Sequence, residues 1–156
     1  MTVIELTHTE FAKTDPKNVW RLWSDTSTWS QWDHGVEWCK LKEGHQFELD
    51  GEALLLPKGS PSPLTIRFTE CTPNQSFTDR GDFELGSIQF SHTVTPCPGG
   101  VKITHSLKFT PANPQTKEIF EMRMLPKIQK ELPESVKTLA KCAEEKCQRS
   151  QTTCCG

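Results

Sequence analysis

A chain of 156 residues with 34% apolar content is long enough to bury one core and too short for two domains. Its net charge of -2, with acidic and basic residues interspersed, leaves no electrostatic footprint for nucleic acid or an anionic membrane surface. No apolar run reaches the roughly 18 residues of a spanning helix. The N-terminus MTVIELTHTEF lacks the charged and apolar regions of a signal peptide, so a cytoplasmic protein without membrane insertion is expected.

Residues 2–12 alternate as a strand, with Ile4, Leu6, His8 and Glu10 on one face. Asp15 followed by Pro16 reads as an N-cap and a first helical residue, and Val19, Trp20, Leu22 and Trp23 supply the apolar stripe of a short helix. A second short helical turn is predicted over 27–32. From Gly35 onward the period is that of strands, over 35–42, 46–56, 64–71 and 76–83. Glu43-Gly44, the Pro-rich segment 58–63, residues 72–75 and Leu85-Gly86 supply turn chemistry between them, which predicts an antiparallel meander.

The strongest local signal is a hairpin. Ile88, Phe90, His92 and Val94 alternate with polar residues, Cys97-Pro98-Gly99-Gly100 turns the chain, and Val101, Ile103, His105, Leu107 and Phe109 alternate after it. A turn over 97–100 pairs Val94 with Ile103, His92 with His105, and Phe90 with Leu107. Two imidazoles on an apolar face must find partners or lose about 1 to 3 kcal/mol each. Four-residue turns at 84–87 and 72–75 place Asp79 opposite His92 and Phe68 opposite Asp79, so one inner row is expected to read Phe68, Asp79, His92, His105. A carboxylate beside two imidazoles fixes a tautomer and raises basicity, as general acid/base chemistry requires. The same row also serves as a hydrogen-bonded core network that pins the register.

After Pro111 and Pro114 the period becomes helical, with Met122, Leu125, Ile128, Leu132, Val136, Leu139 and Ala143 at spacings of three and four. A helix over 115–147 is predicted, about 50 Å long at 1.5 Å per residue. Pro126 and Pro133 interrupt it and predict a bend near Leu125. Five tryptophans, Trp20, Trp23, Trp29, Trp32 and Trp38, crowd the N-terminal part of a chain without tyrosine, so most must serve as core or pocket wall. The seven cysteines, Cys39, Cys71, Cys97, Cys142, Cys147, Cys154 and Cys155, do not form paired C-x-x-C modules. Reduced thiols are therefore expected, with no metal and no cofactor. The last two lie in a short tail, 148–156, where acylation or soft-metal binding stands beside simple fraying.

The segments Val19-Trp20-x-Leu22-Trp23-Ser24-Asp25, Trp29-x-x-Trp32-Asp33-x-Gly35-Val36, Phe90-x-His92 and Gly99-Gly100-Val101-x-Ile103-Thr104-His105 give the chain, over 1–147, a pattern that resembles the START-like superfamily. Within it the chain is most similar to the polyketide cyclase/dehydrase group, also called SRPBCC proteins. The resemblance implies an α+β helix-grip fold: a curved antiparallel sheet of six to seven strands wrapped around a long C-terminal helix, with two short helices after strand 1. It also implies an apolar cavity of a few hundred Å3 between sheet and helix. Trp23, Trp38, Phe68, Phe77, Phe90, Met122 and Leu125 are expected to form its ligand-binding wall, with the loop 57–63 as lid or connector. Three functions stay open. The first is carriage of a small hydrophobic molecule by a monomer or weak dimer. The second is a cyclase or dehydratase in which His92 or His105 abstracts a proton and Asp79 orients it. The third is a protein-interaction domain of the chaperone-activating kind.

Overall fold

A computed structural model describes the backbone of residues 2–152 and the side chains of residues 2–145. The chain runs β1 (Ile4–Ala12), α1 (Pro16–Ser24), a 3-10 turn (Thr26–Thr28), α2 (Trp29–Trp32), then β2 (Val36–Leu41), β3 (Glu52–Pro57), β4 (Leu64–Thr72) and β5 (Ser76–Phe83). It closes with β6 (Gly86–Cys97), β7 (Gly100–Pro111), α3 (Pro114–Arg123) and α4 (Leu125–Thr152). The strands form one curved antiparallel sheet in the order β1-β7-β6-β5-β4-β3-β2. The predicted helix-grip architecture is therefore present, with seven strands.

Local chemistry sets each boundary. The Asp15 side chain accepts from the Asn18 backbone N–H at 3.1 Å, and Pro16 occupies the first turn of α1, where no N–H is needed. Asn113 and Thr116 form a reciprocal capping box at the start of α3. The expected bend falls at Met124, between α3 and α4. Pro126 then sits in the first turn of α4, whereas Pro133 lies inside the helix and leaves the carbonyl of exposed Gln129 without its usual donor.

The concave face of the sheet carries the core in two clusters. Val136, Leu139 and Ala143 of α4 meet Val19, Leu22 and Trp23 of α1, together with Val101 and Ile103 of β7. At the other end Leu132 meets Ile88, Leu107, Phe109 and Phe120. Phe109 stacks on Phe120 at 3.8 Å between ring centroids and 5° between planes, which fastens α3 to β7.

Two predicted boundaries fail for local reasons. The strand expected over 46–56 begins at Glu52, because Gly44 and Asp50 adopt φ of +80° and +67° and make 42–51 a loop. The loop turns Phe47 inward, 4.6 Å from the Phe68 ring and 5.0 Å from the Phe77 ring. The expected four-residue turn at 84–87 closes instead in two residues, with Phe83 opposite Gly86. Gly86 has φ +147°, and a Cβ there would lie 2.1 Å from the Thr110 carbonyl oxygen, so only glycine starts β6 this close to β7.

Phe109→Ala empties the stacked site of a fully buried ring and is expected to cost about 3 to 5 kcal/mol, read as a shift in the urea-unfolding midpoint.

Candidate functional site

The β6–β7 register is the predicted one, with His92 opposite His105, Val94 opposite Ile103 and Phe90 opposite Leu107. Beyond the hairpin β1 places His8 opposite His105. On the other side the tighter turn slides β5 by two residues, which keeps every side chain on its face but sets Phe77, not Asp79, opposite His92. Asp79 lies between Phe68 and Phe90, diagonal to His92. The inner row thus reads Phe77, His92, His105, His8, and the next reads Phe68, Asp79, Phe90, Leu107, Leu6. The expected single row of Asp79, His92 and His105 is corrected accordingly: the three share one face and are buried, but the carboxyl is one step removed from the imidazoles.

The tryptophans of α1 and α2 cover this row. Trp23 lies 5.5 Å from the Phe77 ring, 5.8 Å from His92 and 5.9 Å from His105, while Trp32 lies 5.6 Å from His105. Trp29 donates its indole N–H to the Trp23 carbonyl at 2.9 Å, and Trp32 donates to Thr28 Oγ1 at 3.3 Å. His92 stacks on Phe77 at 3.9 Å, and its Nδ1 sits 3.2 Å from the Phe77 carbonyl oxygen. A carbonyl only accepts, so Nδ1 carries the proton and Nε2 of the neutral ring presents a lone pair. Among the described residues two buried nitrogens have no hydrogen-bond partner: Trp23 Nε1 and His105 Nε2.

Burial governs the charges here. It pushes His92 down from 6.5 to about 3, against the opposing Phe77 carbonyl, and holds His105 well below the usual imidazole range, with His92 and His8 adding to the effect. Burial, then the neighbouring Asp33 carboxylate, holds Asp79 well above the ordinary carboxylate range. Asp33 itself is raised to about 6, chiefly by burial and further by Glu131, and the Gly35 N–H donating to its Oδ1 at 2.9 Å opposes the rise. Cys39 is pushed to about 12 by burial, then by Asp79 and Asp33. Near pH 7 the imidazoles are neutral, and burial biases Asp79 toward its protonated form. Among the described residues no three His, Cys, Asp or Glu side chains converge as metal ligands.

Of the expected ligand wall, Trp23, Phe68 and Phe77 lie fully buried in the ring cluster. Phe90 and Leu125 join Leu6, Leu64 and Ile128 as half-buried residues packed against the second core cluster. Trp38 and Met122 do not belong. A bulge between Val36 and Trp38 shifts the parity of β2, so Cys39 is buried on the concave face and Trp38 turns outward, with Lys40 Nζ 5.3 Å from its ring. Met122, in the last turn of α3 before the break at Met124, is 79% exposed. Two surface depressions among the described residues, of about 440 and 400 Å3, lie elsewhere. One is lined by Glu5, Leu6, Thr7, Ser91, Ser106, Leu107 and Lys108, the other by Glu10 and Phe11 of β1 and by Glu134, Lys137, Thr138, Ala140, Lys141 and Glu144 of α4. Neither is the cavity expected between sheet and helix. Rings occupy that space, and Phe90 packs half-buried against the second core cluster.

Sequence reasoning missed Asp33, Cys39 and Phe47. Asp33 had a visible signal, since Asp-x-Gly after the Trp29–Trp32 turn predicts a carboxylate bonded to the glycine N–H. The same turn is tied to α4 by the His34 N–H donating to Ser135 Oγ at 2.8 Å. The loop expected as lid or connector is held by Lys127 Nζ donating to the Lys58 carbonyl at 3.1 Å. Cys154 and Cys155 lie outside the described residues.

A curved sheet clasping a terminal helix over a ring-lined, partly polar concave face defines a helix-grip protein. The chain belongs to the family described as "Polyketide cyclase / dehydrase and lipid transport", whose profile matches residues 3–144. No curated protein matches the chain. Among solved structures it is similar to Ara h 8.0201, with 11% identity and a TM-score of 0.65 over 94% of this chain and 99% of that one. It is similar as well to MLL2253 from Mesorhizobium loti, with 10% identity and a TM-score of 0.68 over 91% and 98%. A third likeness is to the di-domain ARO/CYC StfQ from the steffimycin biosynthetic pathway, with 12% identity and a TM-score of 0.70 over 96% of this chain and 52% of that one. These likenesses concern the fold. Among the described residues, no helix is long and apolar enough to cross a membrane.

The buried charges make a pH prediction. Between about 3 and 6.5 the unfolded chain takes up a proton that folded His92 refuses, so this contribution to stability falls as pH falls through that window. Asp33 works oppositely: from about 4 to 6 the folded chain holds a proton that the unfolded chain has lost, so its contribution falls as pH rises. His92→Phe removes only the first effect. Its stability relative to wild type is expected to rise by about 1.4 kcal/mol for each pH unit from 6 down to 4, measured by urea unfolding; parallel profiles would show that His92 is not held neutral.

Proposed function

We propose that residues 1–147 form one cytoplasmic binding domain for a small hydrophobic molecule, taken between the concave sheet face and the N-terminal half of α4. One observation carries this reading. Trp23 Nε1 and His105 Nε2 are buried, lie in rings 5.9 Å apart, and have no partner among the described residues. Each orphaned polar group costs about 1 to 3 kcal/mol, and a ligand bearing a polar atom repays that cost while its skeleton covers apolar surface. The half-buried Phe90 of β6, with Leu125 and Ile128 of α4, supplies such surface. The family's description and its fold suit hydrophobic ligand binding and cyclase-like chemistry alike.

A cyclase or dehydratase reading is favoured by Asp79, which burial biases toward the acid form, and the bare Nε2 of His92 as acceptor on the same face. With His92 held at about 3 the imidazole is a weak base, which places binding ahead of proton abstraction.

The test compares wild type with His105→Phe, using the neutral naphthyl ketone Prodan as fluorescent probe. Wild type is expected to bind it with a blue-shifted emission, and the variant to bind at least about tenfold more weakly, roughly 1.4 kcal/mol. The variant's unfolding free energy is expected to stay within about 1 kcal/mol of wild type, because an orphaned nitrogen has been removed. Loss of about 3 kcal/mol or more in the variant, with no Prodan binding by wild type, would assign the histidines to core architecture alone.

A further inference from the structure

We infer that the ligand is a neutral molecule with an oxygen acceptor, a carbonyl or a hydroxyl on an apolar skeleton, and that the indole N–H of Trp23 selects it. This deepens the binding reading above and rests on it. An indole nitrogen donates a hydrogen bond and never accepts one. Whatever atom meets Trp23 Nε1 must therefore carry a lone pair.

Trp23 differs in this from the tryptophans beside it. Trp29 and Trp32 are as deeply buried, and each spends its N–H locally, on the Trp23 carbonyl and on Thr28 Oγ1. The Trp23 ring is fully buried, and its N–H has no partner among the described residues. The bond from Trp29 holds the Trp23 backbone, and the rings of Phe77, His92 and His105 stand 5.5, 5.8 and 5.9 Å from the Trp23 ring. The donor is thus fixed in place before a ligand arrives, the condition under which a buried hydrogen-bonding group discriminates most sharply.

The second unpartnered atom, His105 Nε2, makes no contrary demand. A neutral imidazole carries its proton on either nitrogen, so Nε2 donates to a carbonyl or accepts from a hydroxyl whose oxygen takes the Trp23 N–H. A hydrocarbon leaves the indole as it is, and an ammonium group has no lone pair to offer. A carboxylate has lone pairs but brings a charge into an interior where, among the described residues, no lysine or arginine is buried. Phe90 is the next residue of the concave face along β6 from His92, and with Leu125 and Ile128 it supplies the apolar seat for the skeleton.

The experiment titrates three neutral ligands of one skeleton, 2-acetylnaphthalene, 1-(2-naphthyl)ethanol and 2-ethylnaphthalene, into the 15N-labelled protein at pH 7. The Trp23 indole N–H signal, identified by its Overhauser contacts with Phe77 and His92, is followed together with affinity. Ketone and alcohol are each expected to bind at least about tenfold tighter than the hydrocarbon. Each should also place the Trp23 signal downfield of its position in the hydrocarbon complex or, where the hydrocarbon does not bind, in the free protein. Whichever of the two binds tighter names the group. In Trp23→Phe the preference for ketone over hydrocarbon is expected to fall at least about tenfold; if that variant does not fold, the wild-type ratio and signal decide alone. A hydrocarbon that binds as tightly as the oxygen compounds, or oxygen compounds that bind and leave the Trp23 signal in place, overturns the acceptor while leaving hydrophobic binding intact. Binding by none of the three overturns both.

Discussion

Pairing of β6 with β7 sets the position of everything else in the molecule. The two strands pair without interruption from Gly86 opposite Pro111 to Cys97 opposite Gly100, and side chains on such a ladder have a period of two. A slip of one residue would send His92, His105, Ile103 and Phe109 into solvent together. With the register held, β7 recruits β1 on one side and β6 recruits β5 on the other, and the concave face receives both its apolar rows and its imidazoles.

The same face carries an energetic tension. Aromatic burial stabilises the fold through Trp23, Trp32, Phe68 and Phe77, and it drives Asp79 toward its neutral acid and both histidines toward neutral imidazole. Charge is thereby removed from the interior, but hydrogen-bonding capacity is not. The proposed guest would give that indole N–H and imidazole nitrogen the partners they lack.

Legibility from sequence tracks how local the determining interaction is. The β6–β7 register was readable because Pro98-Gly99 turns the chain between two strongly alternating strands, and α1 because Asp15-Pro16 is a self-contained cap. The β5–β6 register was not, because the length of its turn depends on how near Gly86 comes to Thr110, a contact between residues far apart in the chain. Period-two parity survived that error, so Asp79 was placed on the right face and beside the wrong partner. Trp38 was misplaced because a bulge leaves no mark in an alternating sequence, and Met122 because helical spacing was carried across a break in the helix. Asp33 and Phe47 reach the site from loops, where no periodicity announces which way a side chain points.

The central claim is that two neutral imidazoles face each other inside an apolar space, one with its proton held by a backbone carbonyl and the other waiting for a partner. Long-range proton–nitrogen correlation spectra of the 15N-labelled chain at pH 5 test it most directly. His92 should show a neutral ring protonated at Nδ1, and His105 a neutral ring of either tautomer. Imidazolium signals from His92 and His105 at that pH would contradict the account.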